Sequence, residues 1–226
     1  GRGAFGGGDQ QLAQAAGLVP IVEPEVVFDG SDDSPATHDL AASIATTTQT
    51  LVVTFEALAE VGVALEGLIL KTSMILAGKN APAQTDAETV GFETLKGLLK
   101  TIPAGVRGVV FLSGGQGDEQ ATANLDSVAR ASQSRFTDAR EAAVAELRAE
   151  GHPARADAVA ALTTVPWPIS YSFGRGLQAR ALKAWAGQPA HVPAAQATML
   201  ANAREVQRAR QGLLRAPSQD GTAAQE

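Results

Sequence analysis

The sequence contains no cysteine among its 226 residues, which excludes a disulfide framework and a thiolate zinc site. Histidine is scarce as well: His38, His152 and His191 are the only three, and no two stand at a paired ligand spacing. No apolar run reaches the roughly 18 residues of a membrane-spanning helix. The net charge of −6 disfavours binding to nucleic acid and to anionic lipid, because both are negatively charged. We therefore expect no metal, no other cofactor, and no nucleic-acid or membrane partner.

What the sequence has is an ordinary globular composition, 45% hydrophobic and 19% charged. Four apolar runs of buried-strand length alternate with segments whose apolar residues recur at helical spacing. Repeated strand–helix units indicate a parallel sheet, and continuous apolar runs predict that helices or strands cover both of its faces. The runs are "LVPIVEPEVV" at 18–27, "LEGLILKTSM" at 65–74, "VRGVVFLSGG" at 106–115 and "PISYSFG" at 168–174.

The ends of the chain and one internal segment depart from this alternation. Residues 1–10 predict a flexible glycine-rich lead with no apolar core of a secretory signal, and residues 216–226 predict a disordered tail. Residues 11–215 would form the folded body. Within it, 134–164 predicts a helical hairpin insertion, for which a solvated surface arm is the default interpretation.

Polar residues cluster where the predicted strands end, and function in α/β folds concentrates at that edge. Four stretches there resemble class I fructose-bisphosphate aldolases, in the same order and at compatible distances. They are "GLVPIVEPEV", "LEGLILK", "FLSGGQ" followed by "NLDSV", and "SFGRGLQARALKAW". The resemblance implies a (β/α)8 TIM barrel, of which this chain supplies strands five to eight plus C-terminal helices. It corresponds to the second half of the family's chain only.

By this resemblance, Lys71 is the catalytic lysine that forms a Schiff base with the substrate. The nucleophile is a neutral amine, and apolar surroundings lower the pKa of a lysine by disfavouring its charged form. Glu23 matches the family's acid/base residue, and Glu25 would support Lys71 from the same side of the strand. The simpler alternatives are a lysine snorkelling from a barrel rim and acids that only meet solvent.

The last two strand ends would bind a substrate phosphate. By resemblance Ser113, Gly114 and Gly115 contact it through a glycine-rich turn before a helix, although two glycines alone are usually only a tight turn. Asp118 and Glu119 in that helix suit its dipole but repel an anion. A second set would complete the site, with an arginine able to grip phosphate in a forked geometry: Ser172, Gly174 and Arg175.

The function implied is reversible cleavage of fructose 1,6-bisphosphate, a phosphorylated sugar, into dihydroxyacetone phosphate and glyceraldehyde 3-phosphate. Several departures from the family keep alternatives open: Phe173 replaces tyrosine, "KTSM" replaces "KPNM", and neither the C-terminal tyrosine nor the groups of the first four strands are present. The chain is then a fragment or a half-barrel that needs a partner, and unclosed apolar surface predicts a homo-oligomer. A non-catalytic phosphate-binding or scaffolding half-barrel and a different Schiff-base lyase are the alternatives.

Overall fold

The computed structural model describes residues 8–29 and 37–214, which form one parallel sheet with helices. The elements follow in this order: α1 (Gly8–Ala15), β1 (Ile21–Val22), α2 (Leu40–Glu60), β2 (Ile69–Thr72), α3 (Ala87–Thr101), β3 (Gly108–Phe111), α4 (Asp118–Ser134), α5 (Phe136–Ala149), α6 (Pro153–Ala160), β4 (Ile169–Tyr171), α7 (Arg175–Trp185) and α8 (Val192–Ala209). Within these ranges, no helix is long and apolar enough to cross a lipid bilayer.

The sheet has the order β1-β2-β3-β4, and every neighbouring pair is parallel. This confirms the predicted α/β class with about four βα units. Each strand is shorter than its apolar run, most of all β1, which spans two residues. Pro20 and Pro24 flank β1, and a proline has no N–H to donate to a neighbouring strand.

The two faces of the sheet differ in burial. Side chains directed at the helices are fully buried, such as Leu70 and Val109, and they join the core with Leu95, Leu98 and Leu125. The side chains at the alternating positions point to the other face of the sheet, and they are only partly buried. Within residues 8–29 and 37–214, the prediction that both faces are covered therefore holds fully for one face only, since the side chains on the second face are half-buried.

The helices begin and end at local signals. Asp39 and Asp86 are the N-caps of α2 and α3, and each side chain accepts a hydrogen bond from a backbone N–H in the first turn. Helix α7 ends at Trp185, where Ala186 and Gly187 both adopt positive φ. A residue of positive φ directly after the last turn is a common way for a helix to end.

The segment between α4 and β4 forms two helices, α5 and α6, that lie against α3. Lys96 and Lys100 of α3 bind Glu146 of α5, each at 2.8 Å. Farther along, the Trp167 indole N–H donates to the Pro103 carbonyl at 2.9 Å. The hairpin is thus joined to the sheet-covering helices by specific contacts, whereas the default interpretation was a solvated arm.

The predicted N-terminal lead needs one correction. Gly8, Asp9 and Gln10 lie in helix α1. The Gln14 side chain ties this helix to the entry of β2, donating to the Ala64 carbonyl at 2.8 Å and accepting from its N–H at 2.9 Å. Residues 1–7, and the tail predicted for 216–226, lie outside the described residues.

Candidate active site

The carboxyl ends of β1 and β2 bring Lys71 and Glu23 into contact. The Lys71 Nζ lies 2.8 Å from Glu23 Oε1, with the side chains 22% and 42% exposed. Lys71 belongs to β2, whose Leu70 pairs with Val22, so Glu23 stands beside Lys71 on the next strand. Both residues alternate with buried neighbours and therefore point to the partly open face. The sheet register is what makes the contact.

The lysine is less enclosed than the sequence predicted. We expected apolar surroundings, but the Lys71 amine is partly exposed and has a carboxylate as its ion-pair partner. Across the sheet its register partner is Val110, whose partner in turn is Ser170. In the described part of the chain, the environment of Lys71 is therefore half apolar and half open, with its side chain 22% exposed.

Glu25 lies on the same side as Glu23, as period-two alternation predicted, because both are exposed while Pro24 is buried. Within the described part of the chain, Glu25 joins no ion pair, and the partner of Lys71 is Glu23. The two acids are thus distinguished by position: one contacts the amine and the other faces solvent.

The turn after β3 has the backbone geometry of an anion site. Gly114 and Gly115 have φ of +54° and +77°, where side chains are strained. No acceptor within the described residues pairs with their backbone N–H groups. Helix α4 begins three residues beyond Gly115, so its N-terminal dipole lies close to this turn. The turn follows Ser113, as predicted, and its free donors suit a phosphate.

The turn after β4 lies beside it. The Ser172 N–H donates to the Phe111 carbonyl at 2.8 Å, which continues the sheet past its last strand residue. Gly176, in the first turn of α7, packs so closely on the neighbouring turn that an added Cβ would lie 3.4 Å from the Ser113 Cβ. Gly174 is the N-cap of α7 and offers no side chain. The two predicted halves of the phosphate site are therefore adjacent.

Arg175 is exposed at the first position of α7, and within the described residues no carboxylate lies in ion-pair distance of it. The helix dipole gives a cation no favourable role at this end. Arg175 directly follows the turn after β4, and an unpaired guanidinium there is a suitable binding group for an oxyanion.

Arg180 is a residue that sequence reasoning missed. Its guanidinium binds Asp118 Oδ2 at 2.6 Å and Glu205 Oε2 at 2.9 Å, and it thereby ties α7 to α4 and α8. Asp118 was expected to repel a bound anion, but its charge is compensated by Arg180. The contact joins residues 62 apart in the chain, and no spacing in the sequence predicts it.

The segment after Lys71 is buried rather than looped into solvent. The Ile75 N–H donates to Thr94 Oγ1 at 2.9 Å. The Ser73 hydroxyl is buried, and residues 8–29 and 37–214 offer it no hydrogen-bond partner. Ser73 lies beneath the glycine turn, 3.9 Å from where a Cβ on Gly114 would stand. The departure "KTSM" therefore places a small hydroxyl between the lysine strand and the phosphate turn.

Among residues 8–29 and 37–214, no three His, Asp or Glu residues group closely enough to hold a metal ion.

The chain is similar to known proteins over most of its length. The model of the family described as "Fructose-bisphosphate aldolase class-I" matches residues 10–138 and 149–226. Pea fructose-bisphosphate aldolase, cytoplasmic isozyme 2, is 36% identical over 215 residues, which are 95% of this chain and 50% of the pea protein. A probable fructose-bisphosphate aldolase class 1 from Xanthomonas axonopodis is 40% identical over 175 residues, 77% of this chain and 41% of its own.

A solved structure is similar over nearly the same extent. Fructose-bisphosphate aldolase from Plasmodium falciparum superposes with a TM-score of 0.71 at 34% identity, over 93% of this chain and 51% of its own. The chain thus spans about half the length of the relatives it matches.

Proposed function

Because the chain belongs to the class I fructose-bisphosphate aldolase family, we propose that Lys71 forms a Schiff base with a phosphorylated keto sugar. The observation that carries the proposal is the 2.8 Å contact between Lys71 and Glu23 at the carboxyl edge of the sheet. An amine that attacks a carbonyl needs a nearby group that takes and returns protons. The strand register supplies that group.

In the proposed reaction, the neutral Lys71 amine adds to the keto carbon of fructose 1,6-bisphosphate, and water leaves as the iminium forms. Glu23 takes one proton from the attacking nitrogen and passes it to the keto oxygen, which gives the carbinolamine hydroxyl. A second proton, from solvent, then protonates that hydroxyl so that it leaves as water. The iminium accepts the electron pair of the breaking carbon–carbon bond, and a base takes the proton of the hydroxyl that becomes the aldehyde. Glyceraldehyde 3-phosphate departs; protonation and hydrolysis of the enamine release dihydroxyacetone phosphate. Glu25 supports the charge balance from the solvent side.

The substrate phosphate would lie between the turns after β3 and β4. Gly114 and Gly115 contribute backbone N–H groups, Ser113 and Ser172 contribute hydroxyls, and Arg175 contributes its charge; Gly174 leaves room for close approach. Arg180 supports this assignment because it compensates Asp118 beside the proposed anion.

We propose further that the protein acts in the cytoplasm and works as a homo-oligomer. Two plant relatives are named cytoplasmic isozymes. The four strands leave Lys71 facing an open side, so a working site needs another surface to cover it.

Borohydride trapping with dihydroxyacetone phosphate tests the proposal. We expect intact mass and peptide mapping to find one adduct on Lys71, no adduct in Lys71→Met, and an unchanged adduct in Lys183→Met, whose lysine is exposed on α7. An adduct that persists in Lys71→Met would refute the assignment.

The openness of the second face favours one alternative, a phosphate-binding half-barrel without turnover. Binding of the phosphate ligand by the folded chain, with no adduct on Lys71, would support that alternative. Faster trapping with other keto substrates than with dihydroxyacetone phosphate would instead indicate a different Schiff-base lyase.

A further inference from the structure

A second cleft lies away from the sheet edge, between helix α2 and the hairpin formed by α5 and α6. Its volume is about 540 Å³. Its polar lining includes Thr48, Gln49, Glu56, Lys100, His152 and Arg155. The end of α3 forms part of its wall. The cleft shares no residue with the candidate active site.

Arg155 is the unusual group in this cleft. It is partly buried, and burial alone lowers the pKa of its guanidinium. Its Nε donates to the Lys100 carbonyl at the end of α3. Within the described residues, no carboxylate lies in ion-pair distance of Arg155. A guanidinium has five N–H donors, so most of them are left over after this contact.

The acids nearby are already engaged. Glu150 Oε1 binds Lys100 at 2.7 Å, and Glu146 bridges Lys96 and Lys100. A partly desolvated cation without an acid partner costs free energy unless an anion compensates it. The protein carries this uncompensated charge on the wall of a cleft large enough for a small molecule.

We propose that this cleft binds a small oxyanion, a carboxylate or a phosphate, on Arg155. The Gln49 amide of α2 makes no hydrogen bond within the described part of the chain, and together with the His152 ring it offers further donors to the ligand. Glu56 and Glu150 line the same cleft. They disfavour a polyanion such as nucleic acid and favour a ligand with one compact anionic group.

The cleft depends on a segment that the family match omits. The matched ranges leave out residues 139–148, which lie in α5 and include Leu147 of the cleft wall. The inference therefore does not rest on the proposed aldolase reaction, and the site would belong to this chain's hairpin.

Amide-resolved NMR of the full chain tests the proposal, with inorganic phosphate and acetate titrated separately. We expect saturable shifts at Thr101, His152 and Arg155 with at least one of the two anions, and the ratio of the affinities tells a phosphate ligand from a carboxylate. Shifts at Gly114 and Gly115 report the candidate active site independently. No shift around the cleft with either anion would overturn the proposal.

Variants sharpen the test. Arg155→Gln should weaken anion binding at the cleft about tenfold or more, because that is the usual contribution of a charge-assisted hydrogen bond to affinity. Arg148→Gln, an exposed arginine on the same hairpin, should bind as the unaltered protein does. If Arg155→Gln loosens the hairpin, Gln49→Ala on α2 replaces it, with an expected loss of a few-fold. Unchanged affinity in a folded Arg155→Gln or in Gln49→Ala would contradict the assignment.

Discussion

Glu146 fastens the hairpin to the body of the protein, and replacing it with glutamine should measurably lower stability. Its two carboxylate oxygens bind Lys96 and Lys100 of α3, both at 2.8 Å. Those lysine side chains are only 10% and 9% exposed. Glutamine has almost the same shape but supplies no charge, so Glu146→Gln tests the charge and not the packing.

The size of the effect follows from the partners that remain. Removing one partner of a buried pair costs about 3–5 kcal/mol when the other charge is left alone. Here Lys96 keeps Glu93 and Lys100 keeps Glu150, both at 2.7 Å. Glu146 is also partly exposed, which screens its charge. We therefore expect a loss of about 1–2 kcal/mol in the free energy of unfolding, or about 2–8 °C in Tm.

The pH dependence should identify the mechanism. Burial acts to raise the pKa of Glu146, but hydrogen bonds from Lys100 and Lys96 outweigh it and lower the pKa below 4.5. The carboxylate therefore stabilises the fold above pH 4.5, and its contribution is lost as the pH falls through the folded-state pKa. Burial also acts to lower the pKa values of Lys96 and Lys100, but hydrogen bonds to the glutamates raise them above 10.5. Their contribution is complete below pH 10.5 and is lost above it.

Urea denaturation followed by circular dichroism, repeated across pH, measures this contribution. The matched control is Glu141→Gln on the same helix, whose carboxylate is exposed and 3.9 Å from Arg140. We expect the control to change stability by less than about 0.5 kcal/mol. The reasoning is refuted if the two variants lose the same stability at neutral pH, or if the Glu146→Gln deficit persists unchanged under strong acid.

Three further predictions concern the candidate active site. Glu23→Gln should slow borohydride trapping about a hundredfold or more, because that is the usual contribution of a general acid–base group. The control is Glu60→Gln, which alters an exposed acid at the end of α2 and should leave the rate unchanged. Equal rates in the two variants would contradict the role of Glu23. Gly114→Ala should lower the free energy of unfolding by about 1–2 kcal/mol in chemical denaturation, because φ is +54° and the new Cβ would lie 2.9 Å from Leu112 Cδ1. The control is Gly117→Ala, where φ is −61° and nothing lies within 4 Å of the new Cβ. Equal stability of the two variants would contradict the backbone strain at Gly114. Arg180→Gln should weaken phosphate binding severalfold in calorimetry, since Asp118 would then face the anion uncompensated, and the exposed Arg204→Gln should not; an unchanged affinity would remove Arg180 from the site.

Much of the fold could be predicted because its signals are local. The apolar runs placed four strands in the right order, and the segments of helical spacing that follow the first three runs form helices α2, α3 and α4. Strand lengths could not be predicted in the same way, because they depend on which N–H groups find partners on a neighbouring strand. The two prolines around Ile21 and Val22 show this most clearly.

The candidate site also combines local features, which the sequence indicates, with features that depend on tertiary contacts. Each strand end is a local feature, and the resemblance of these stretches to the aldolase family is what singled out Lys71, Glu23 and the two glycines as candidates. The 2.8 Å pairing of Lys71 with Glu23 depends on register, and the compensation of Asp118 by Arg180 depends on how α7 packs on α4. Contacts of that kind join residues that are far apart in the chain, so no spacing in the sequence predicts them.

The openness of the second face bears directly on the chemistry. A lysine reacts as a neutral amine, and removing water from an amine disfavours its charged form. The Lys71 side chain is 22% exposed, and its Nζ lies 2.8 Å from Glu23 Oε1. A surface that covers the face would exclude water from Lys71 and leave Glu23 in contact with the amine. The same covering would enclose Ile21 and Val27, which are 57% and 63% exposed. Apolar burial at the edge of the sheet and activation of Lys71 would then be two results of one assembly step, and trapping should become faster as the protein associates.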